Sequence, residues 1–531
     1  MNLPDLPIND VLNDIKTTLQ NELDLVIEAP PGAGKTTQVP LALLEQSWLG
    51  HNKVIMLEPR RLAAKTAAHR MASIIGEPTG QTVGYRMRDE TRISDHTKIE
   101  VVTEGVFTRM LQNDPSLEGI GLVIFDEFHE RSLDSDLSLA VCLKMREIFR
   151  AENPLRLIAM SATLDSQKLI KIMDAPVVRS DGRMHPVEII HGRASQPRDK
   201  IVDRVVETIV DAIRHNPESS LLVFLPGQGE IRQTFDRLRE RLDSTISLHP
   251  LYGNLSLAEQ QAAIDPAPKN RKVVLATNIA ETSLTIEGIN VVIDSGLARE
   301  PSFDPGNGMS RLQTVKISAG STIQRAGRAG RLEPGRCYRL WSEQQQDQLA
   351  PHVTPEIHKT DLAGMALQLF QWGFQSPDEL NFLDLPKAGN WEQAVSLLND
   401  LGALKPDLSS LTEHGEAMAL IPAHPRLGHL LIKGAEAGNT EKAALLAALL
   451  SDRNPLSQEN PDITTHLAVL SGEETCAKQY RGWYQRTQKL AKQLVIHVRN
   501  IRQDSVLPAA EILGYLLACA YPDRIARRRH K

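Results

Sequence analysis

The stretch Ala29-Pro30-Pro31-Gly32-Ala33-Gly34-Lys35-Thr36-Thr37 sets small residues, one lysine and two hydroxyls between an apolar run and a helix-like pattern. Small residues let successive backbone N–H groups turn inward around phosphate oxygens, at the positive end of the following helix. This is a P-loop with Ala in place of its first Gly. Gly32, Gly34 and Thr37 would line the cradle, and Lys35 would reach the outer phosphates of a nucleoside triphosphate such as ATP. The Thr36 hydroxyl would hold Mg2+.

About ninety residues on, Asp126-Glu127-Phe128-His129 follows the apolar run 122–125. A carboxylate at the end of a strand, expected beside the P-loop strand, suits Asp126 to the same Mg2+. Glu127 is then placed to orient or deprotonate an attacking water. A third group, Gln324-Arg325-Ala326-Gly327-Arg328-Ala329-Gly330-Arg331, spaces three arginines by three and predicts that they share one helical face. Each glycine costs a helix about 1 kcal/mol relative to Ala, so an isolated surface helix rarely carries two. They do let a helix press against another domain or a phosphate. Arginines so aimed are worth roughly 10³–10⁵ in turnover.

These groups need a scaffold that brings strand ends together. Short β-branched runs at 25–27, 54–57, 99–102, 122–125 and 155–159 alternate with helical patterns, as in a parallel sheet covered on both faces. A second set follows at 221–225, 272–275 and 290–293, and residues 176–183 read as the joint between the two. Past about residue 345 the strand runs stop and Leu/Ala-rich helical patterns such as 441–450 take over. A length of 531 residues predicts three or four domains.

Composition narrows the function classes. Hydrophobic residues at 41% and charged residues at 24% exclude wholesale disorder. Four cysteines with no C-x-x-C pair argue against a disulfide framework or zinc ribbon. The opening MNLPDLPIND carries acids where a secretory signal would carry Lys or Arg, so a cytoplasmic location is expected. With 60 basic against 66 acidic side chains the net charge is −6, so any nucleic acid must be held in a local basic channel. Aromatics at 4% argue for grip on the backbone rather than stacking of many bases.

The ordered set Gly34-Lys35-Thr36, Glu58-Pro59-Arg60-Arg61, Thr103-Glu104-Gly105, Asp126-Glu127-Phe128-His129, Ser161-Ala162-Thr163, Ala276-Thr277-Asn278-Ile279-Ala280-Glu281-Thr282 and residues 324–331 resembles the superfamily 2 DEAH/RHA helicases. Phe128 in the acidic box, followed by Glu130-Arg131-Ser132-Leu133, looks most like the bacterial HrpB-type branch. The resemblance continues through Leu411-Thr412-Glu413-His414-Gly415 and Pro422-Ala423-His424-Pro425-Arg426-Leu427.

That resemblance implies an α/β fold of two tandem RecA-like P-loop domains (1–178 and 179–345). A winged-helix domain (346–412), a ratchet-like helical bundle (413–520) and the start of an OB-fold region (521–531) would follow. It implies that Gln324, Arg328 and Arg331 approach the γ-phosphate, that Asp294 lies near the ribose, and that His129, Ser161 and Thr163 couple hydrolysis to domain movement. Arg70 would stack on the base opposite a position where relatives carry an aromatic and this chain carries Ile264. Arg60, Arg61, Thr103, Thr277 and Asn278 lie in motifs that contact sugar-phosphate in relatives, and Arg88 is a further candidate. For Arg60-Arg61 ordinary helix-start charge is the alternative. Residues 303–317 read as a strand-separating β-hairpin or a plain connecting one. The basic end 524–531 reads as an orphaned first strand or a nucleic-acid contact. The expected activity is ATP-dependent movement along single-stranded nucleic acid, RNA rather than DNA, 3′ to 5′. The alternative keeps hydrolysis and remodels RNA–protein complexes without processive unwinding.

Overall fold

Where β-branched residues run together, the chain builds two sheets. The computed structural model describes residues 3–525 apart from 89, 163–166, 183–184, 195, 197–198, 244, 267–270, 283–285, 452–453, 459, 504–506 and 509–510. Thr163 and the basic end from 526 onward lie outside the described residues.

The first lobe carries β1 (Asp24–Glu28), β2 (Lys53–Glu58), β3 (Val83–Arg86), β4 (Thr91–Arg92), β5 (Ile99–Thr103), β6 (Ile120–Phe125), β7 (Arg156–Ser161) and β8 (Val177–Arg179). They form one sheet in the order β4-β3-β5-β2-β6-β7-β1-β8, parallel except for the β3–β4 pair. Leu25, Ile27, Val54, Met56, Leu122, Ile124 and Ile158 are fully buried, and so are Val26, Val123 and Leu157 between them. Both faces are therefore covered, the condition for a parallel sheet.

Two expectations change here. β7 lies between β6 and β1, so the strand bearing Asp126 is not adjacent to the P-loop strand. Residues 177–179 are no joint but strand β8, paired with β1; Val177 and Val178 favour the extended state and find a free edge there.

The second lobe carries β9 (Val187–His191), β10 (Ser220–Phe224), β11 (Ile246–Leu251), β12 (Arg271–Ala276) and β13 (Ile289–Asp294). After the two-stranded β14 (Leu297–Asp304) and β15 (Met309–Lys316) comes β16 (Gly335–Arg339). Its parallel sheet runs β11-β12-β10-β13-β16-β9. The hairpin begins at Leu297, earlier than the sequence indicated. Both lobes lie within one compact unit comprising 1–302, 310–360 and 380–384.

A second unit takes in 303–309, 361–379 and the chain from 385 on. Its helices include Ala363–Gln371, Ala388–Asp400, Glu413–Ala419, Pro425–Glu436, Thr440–Ser451 and Arg481–Val498. Thr412 caps Glu413–Ala419 by accepting from Gly415 N–H, and Pro425 opens the next helix behind a His424 cap. Buried Arg426 pairs with Asp523 at 2.5 and 2.8 Å. Arg524 donates to the Gly308 carbonyl in the hairpin turn at 2.8 Å.

Candidate nucleotide site between the two sheets

β1 delivers the chain into the P-loop at its carboxyl end. Gly32 and Gly34 stand at φ 89° and 95°, where an L side chain is strained. At Gly34 a Cβ would also meet Leu6 Cδ1 at 2.8 Å, because the segment before the first helix packs beneath the loop. The helix Lys35–Leu43 starts directly from Gly34 and aims its unpaired N–H groups into the loop.

Lys35 is buried, with Nζ at 3.4 Å from both Glu127 carboxylate oxygens. Thr36 Oγ1 donates to Asp126 Oδ2 at 2.5 Å, and Asp126 Oδ1 accepts the Glu127 N–H at 2.8 Å. Glu127 itself sits at φ 50°, a left-handed conformation that costs a non-glycine residue about 1–3 kcal/mol and recurs at functional sites. That bend turns its carboxylate back over the P-loop lysine.

The electrostatics are lopsided. Glu58, Asp126 and Glu127 are all buried around the single Lys35. Burial, then the neighbouring Asp126, pushes Glu58 well above the ordinary carboxylate range. Burial also raises Asp126 to about 6 against the pull of Lys35. Burial opposes the charge on Glu127 too, but Lys35, His129 and Arg328 outweigh it and hold that carboxyl at about 2. Lys35 stays protonated because Glu127 and Asp126 overcome its own desolvation. A nest of three carboxyls with one hydroxyl and one lysine suits a divalent cation at Thr36 and Asp126. Sequence alone gives Glu58 no role; its one signal is a carboxylate that closes the strand Lys53–Glu58 after four apolar residues.

His129 Nδ1 accepts the Ala162 N–H at 3.3 Å and lies 3.6 Å from Glu127 Oε2. Burial lowers its pKa, favouring the neutral ring. Ser161, at the end of β7, is buried in register with Glu28 of β1.

From the second lobe the three arginines part company. The helix Ala319–Gly327 ends before Arg328, so they do not share a helical face. Arg325 is fully buried, pairing with Glu281 at 2.8 Å and Asp294 at 2.9 Å and lying over the Phe224 ring. It is a strut of the second lobe. Arg328 donates to the carbonyls of Glu281 (3.0 Å) and Thr282. Gly330 lets the turn close on the lobe, since a Cβ there would stand 2.5 Å from His185 O. Burial lowers Arg328, with Arg331 adding to the effect and Glu127 opposing it. Burial likewise takes Arg331 down to about 10 against the pull of Glu127. Both guanidiniums therefore lie within the field of the first-lobe carboxylate. Gln324 lines an open cavity together with Arg60, His129 and Asn278.

Asp294 departs from the sequence reading. Its side chain has no solvent exposure and is taken up by Arg325 and the Gly296 N–H, so here it orients an arginine rather than facing a ribose. Ile264 packs half-buried against the second-lobe core, while Arg70 is exposed on the helix Arg61–Ile74. Of the strand-contact candidates, Arg61, Arg88 and Asn278 are exposed and Thr103 and Thr277 half-buried. Arg60 instead spans the two lobes, donating to Ile279 O at 2.7 Å and Glu130 Oε2 at 3.1 Å.

Both lobes match known protein families. Residues 12–172 match the DEAD/DEAH box helicase model, and 200–333 match the helicase conserved C-terminal domain. The chain belongs to the DEAD/DEAH box helicase family. This DEAD/DEAH box chain is 44% identical to the ATP-dependent RNA helicase HrpB of Escherichia coli (strain K12), over 99% of its own length and 62% of the relative's. It thus spans less than two thirds of that protein. Two solved structures are similar. The crystal structure of Escherichia coli DEAH/RHA helicase HrpB matches with a TM-score of 0.87 at 42% identity, over 99% of this chain and 64% of that one. That of the E. coli DExH-box NTPase HrpB matches with a TM-score of 0.83 at 41% identity, over 100% and 63%. Among the described residues, no helix is long and apolar enough to cross a membrane.

Proposed function

We propose that this DEAD/DEAH box chain is an ATP-hydrolysing motor that moves along single-stranded RNA, 3′ to 5′, in the bacterial cytoplasm. The observation that carries the reading is the position of Glu127, under Lys35 in one lobe and within the field of Arg328 and Arg331 from the other. A triphosphate placed there would meet residues of both lobes, so its cleavage changes the attraction between them.

In this reading Gly32, Gly34, Lys35, Thr36 and Thr37 cradle the phosphates, and Thr36 and Asp126 hold Mg2+. The bound cation would neutralise phosphate charge. Glu127, ionised at neutral pH, orients the attacking water and receives its proton. His129, packed against that carboxylate, links it to Ala162 beside Ser161 by accepting the Ala162 N–H. Gln324, Arg328 and Arg331 face the γ-phosphate, and Arg70 lies along the base. Arg61, Arg88, Thr103, Thr277 and Asn278 follow the strand backbone, giving affinity that falls with salt and reads little sequence.

The test is steady-state hydrolysis of ATP and GTP, each with no polymer, with poly(U) RNA and with oligo(dT). ATP turnover raised by RNA supports the reading. Turnover indifferent to either polymer would contradict it.

A further inference from the structure

Glu130, directly after the acidic box, is engaged on both carboxylate oxygens. Oε2 accepts from Arg60 Nη2 at 3.1 Å, and Oε1 accepts the Thr282 hydroxyl. Arg60 also donates to Ile279 O, three residues before Thr282. The Thr282 carbonyl in turn accepts from Arg328 Nη2. A continuous path therefore runs from Arg60, beside the candidate strand contacts, through Glu130 and Thr282 to Arg328, one of the candidate γ-phosphate arginines. Arg60, Glu130 and Thr282 line the same cavity; Arg60 and Glu130 are about one fifth exposed, and Thr282 is buried behind them.

We propose that Glu130 is the positioning residue through which a bound strand sets the placement of Arg328. This rests on the motor reading above and names how its two sites communicate. A strand phosphate offers Arg60 a bidentate anionic partner in competition with a carboxylate already shared between two donors, and so draws Arg60 toward the strand. Arg60 then also lets go of the Ile279 carbonyl, and the Glu130–Thr282 bond holds the loop that carries the Arg328 acceptors. The device needs two acceptor oxygens on one side chain. Glutamine offers one.

The test measures ATP turnover with and without poly(U), poly(U) affinity by anisotropy, and thermal melting, for the full chain and its variants. Glu130→Gln and Thr282→Val should each keep basal turnover and poly(U) affinity within about threefold. Their RNA stimulation should fall about tenfold, the effect of one charge-assisted hydrogen bond. Thr282→Ser, which keeps the hydroxyl, should retain stimulation, and the double variant should be no worse than either single one, because both act on one path. Full stimulation in Glu130→Gln, or basal and stimulated rates falling in parallel, would overturn the proposal. A parent that RNA does not stimulate would instead sink the motor reading itself.

Discussion

Thr36 Oγ1 lies 2.5 Å from Asp126 Oδ2 although their strands, β1 and β6, are separated by β7. The contact spans the intervening strand because all three strands end at the same edge of the sheet, with Glu28 in register with Ser161 and Phe125 with Ala159. At that edge the P-loop helix and the acidic box converge, so a hydroxyl and a carboxylate ninety positions apart meet in one hydrogen bond.

Glu127→Gln removes the ionised group while keeping its shape. Single-turnover ATP hydrolysis should fall by about 10²–10⁴, the usual worth of a positioned base. ATP binding, followed with a fluorescent analogue, should persist, since Lys35 then loses only a competing partner. Turnover close to the parent's would take Glu127 out of this role.

Arg325 makes a stability prediction distinct from its neighbours. Arg325→Met leaves Glu281 and Asp294 buried without their cation, which should cost about 3–5 kcal/mol. Calorimetry should show the transition of the second lobe moving to markedly lower temperature. An unchanged melting profile would mean that the ion pair is not a strut.

The pair His414–His429, 2.7 Å apart within the helical unit, sets a pH dependence. Burial first, then the neighbouring His414, brings His429 down to about 4. The unfolded chain, with a value near 6.5, therefore binds the proton more readily than the folded one between those limits. Stability from this site is fully present above about pH 6.5 and is lost as the pH falls toward 4. Melting of the helical unit should decline across that window, and His429→Leu should flatten the decline. A slope identical in the variant would place the effect elsewhere.

How much of this the sequence revealed follows from the physics of each element. Central strands β1, β2, β6, β10 and β13 are buried on both faces and so read as unbroken apolar runs. β11 was hidden because it is an edge strand, half-buried and interrupted by Pro250, a residue that edges tolerate. β16 hides for another reason: Gly335-Arg336-Cys337-Tyr338-Arg339 alternates burial and carries two arginines. The first-lobe candidate residues are legible because the chemistry of a phosphate-binding loop demands particular types at particular offsets. Arginines are different, since a spacing of three says nothing about partners. Only packing shows that Arg325 is spent on Asp294 and that Arg60 bridges to Ile279 and Glu130.

The central claim is that both lobes act on one triphosphate, and Arg331→Ala tests it most directly. With ATP and saturating poly(U), turnover should fall by about 10³ or more while ADP affinity stays within about threefold. A loss of turnover smaller than about threefold would contradict a second-lobe arginine at the γ-phosphate, and with it the shared site.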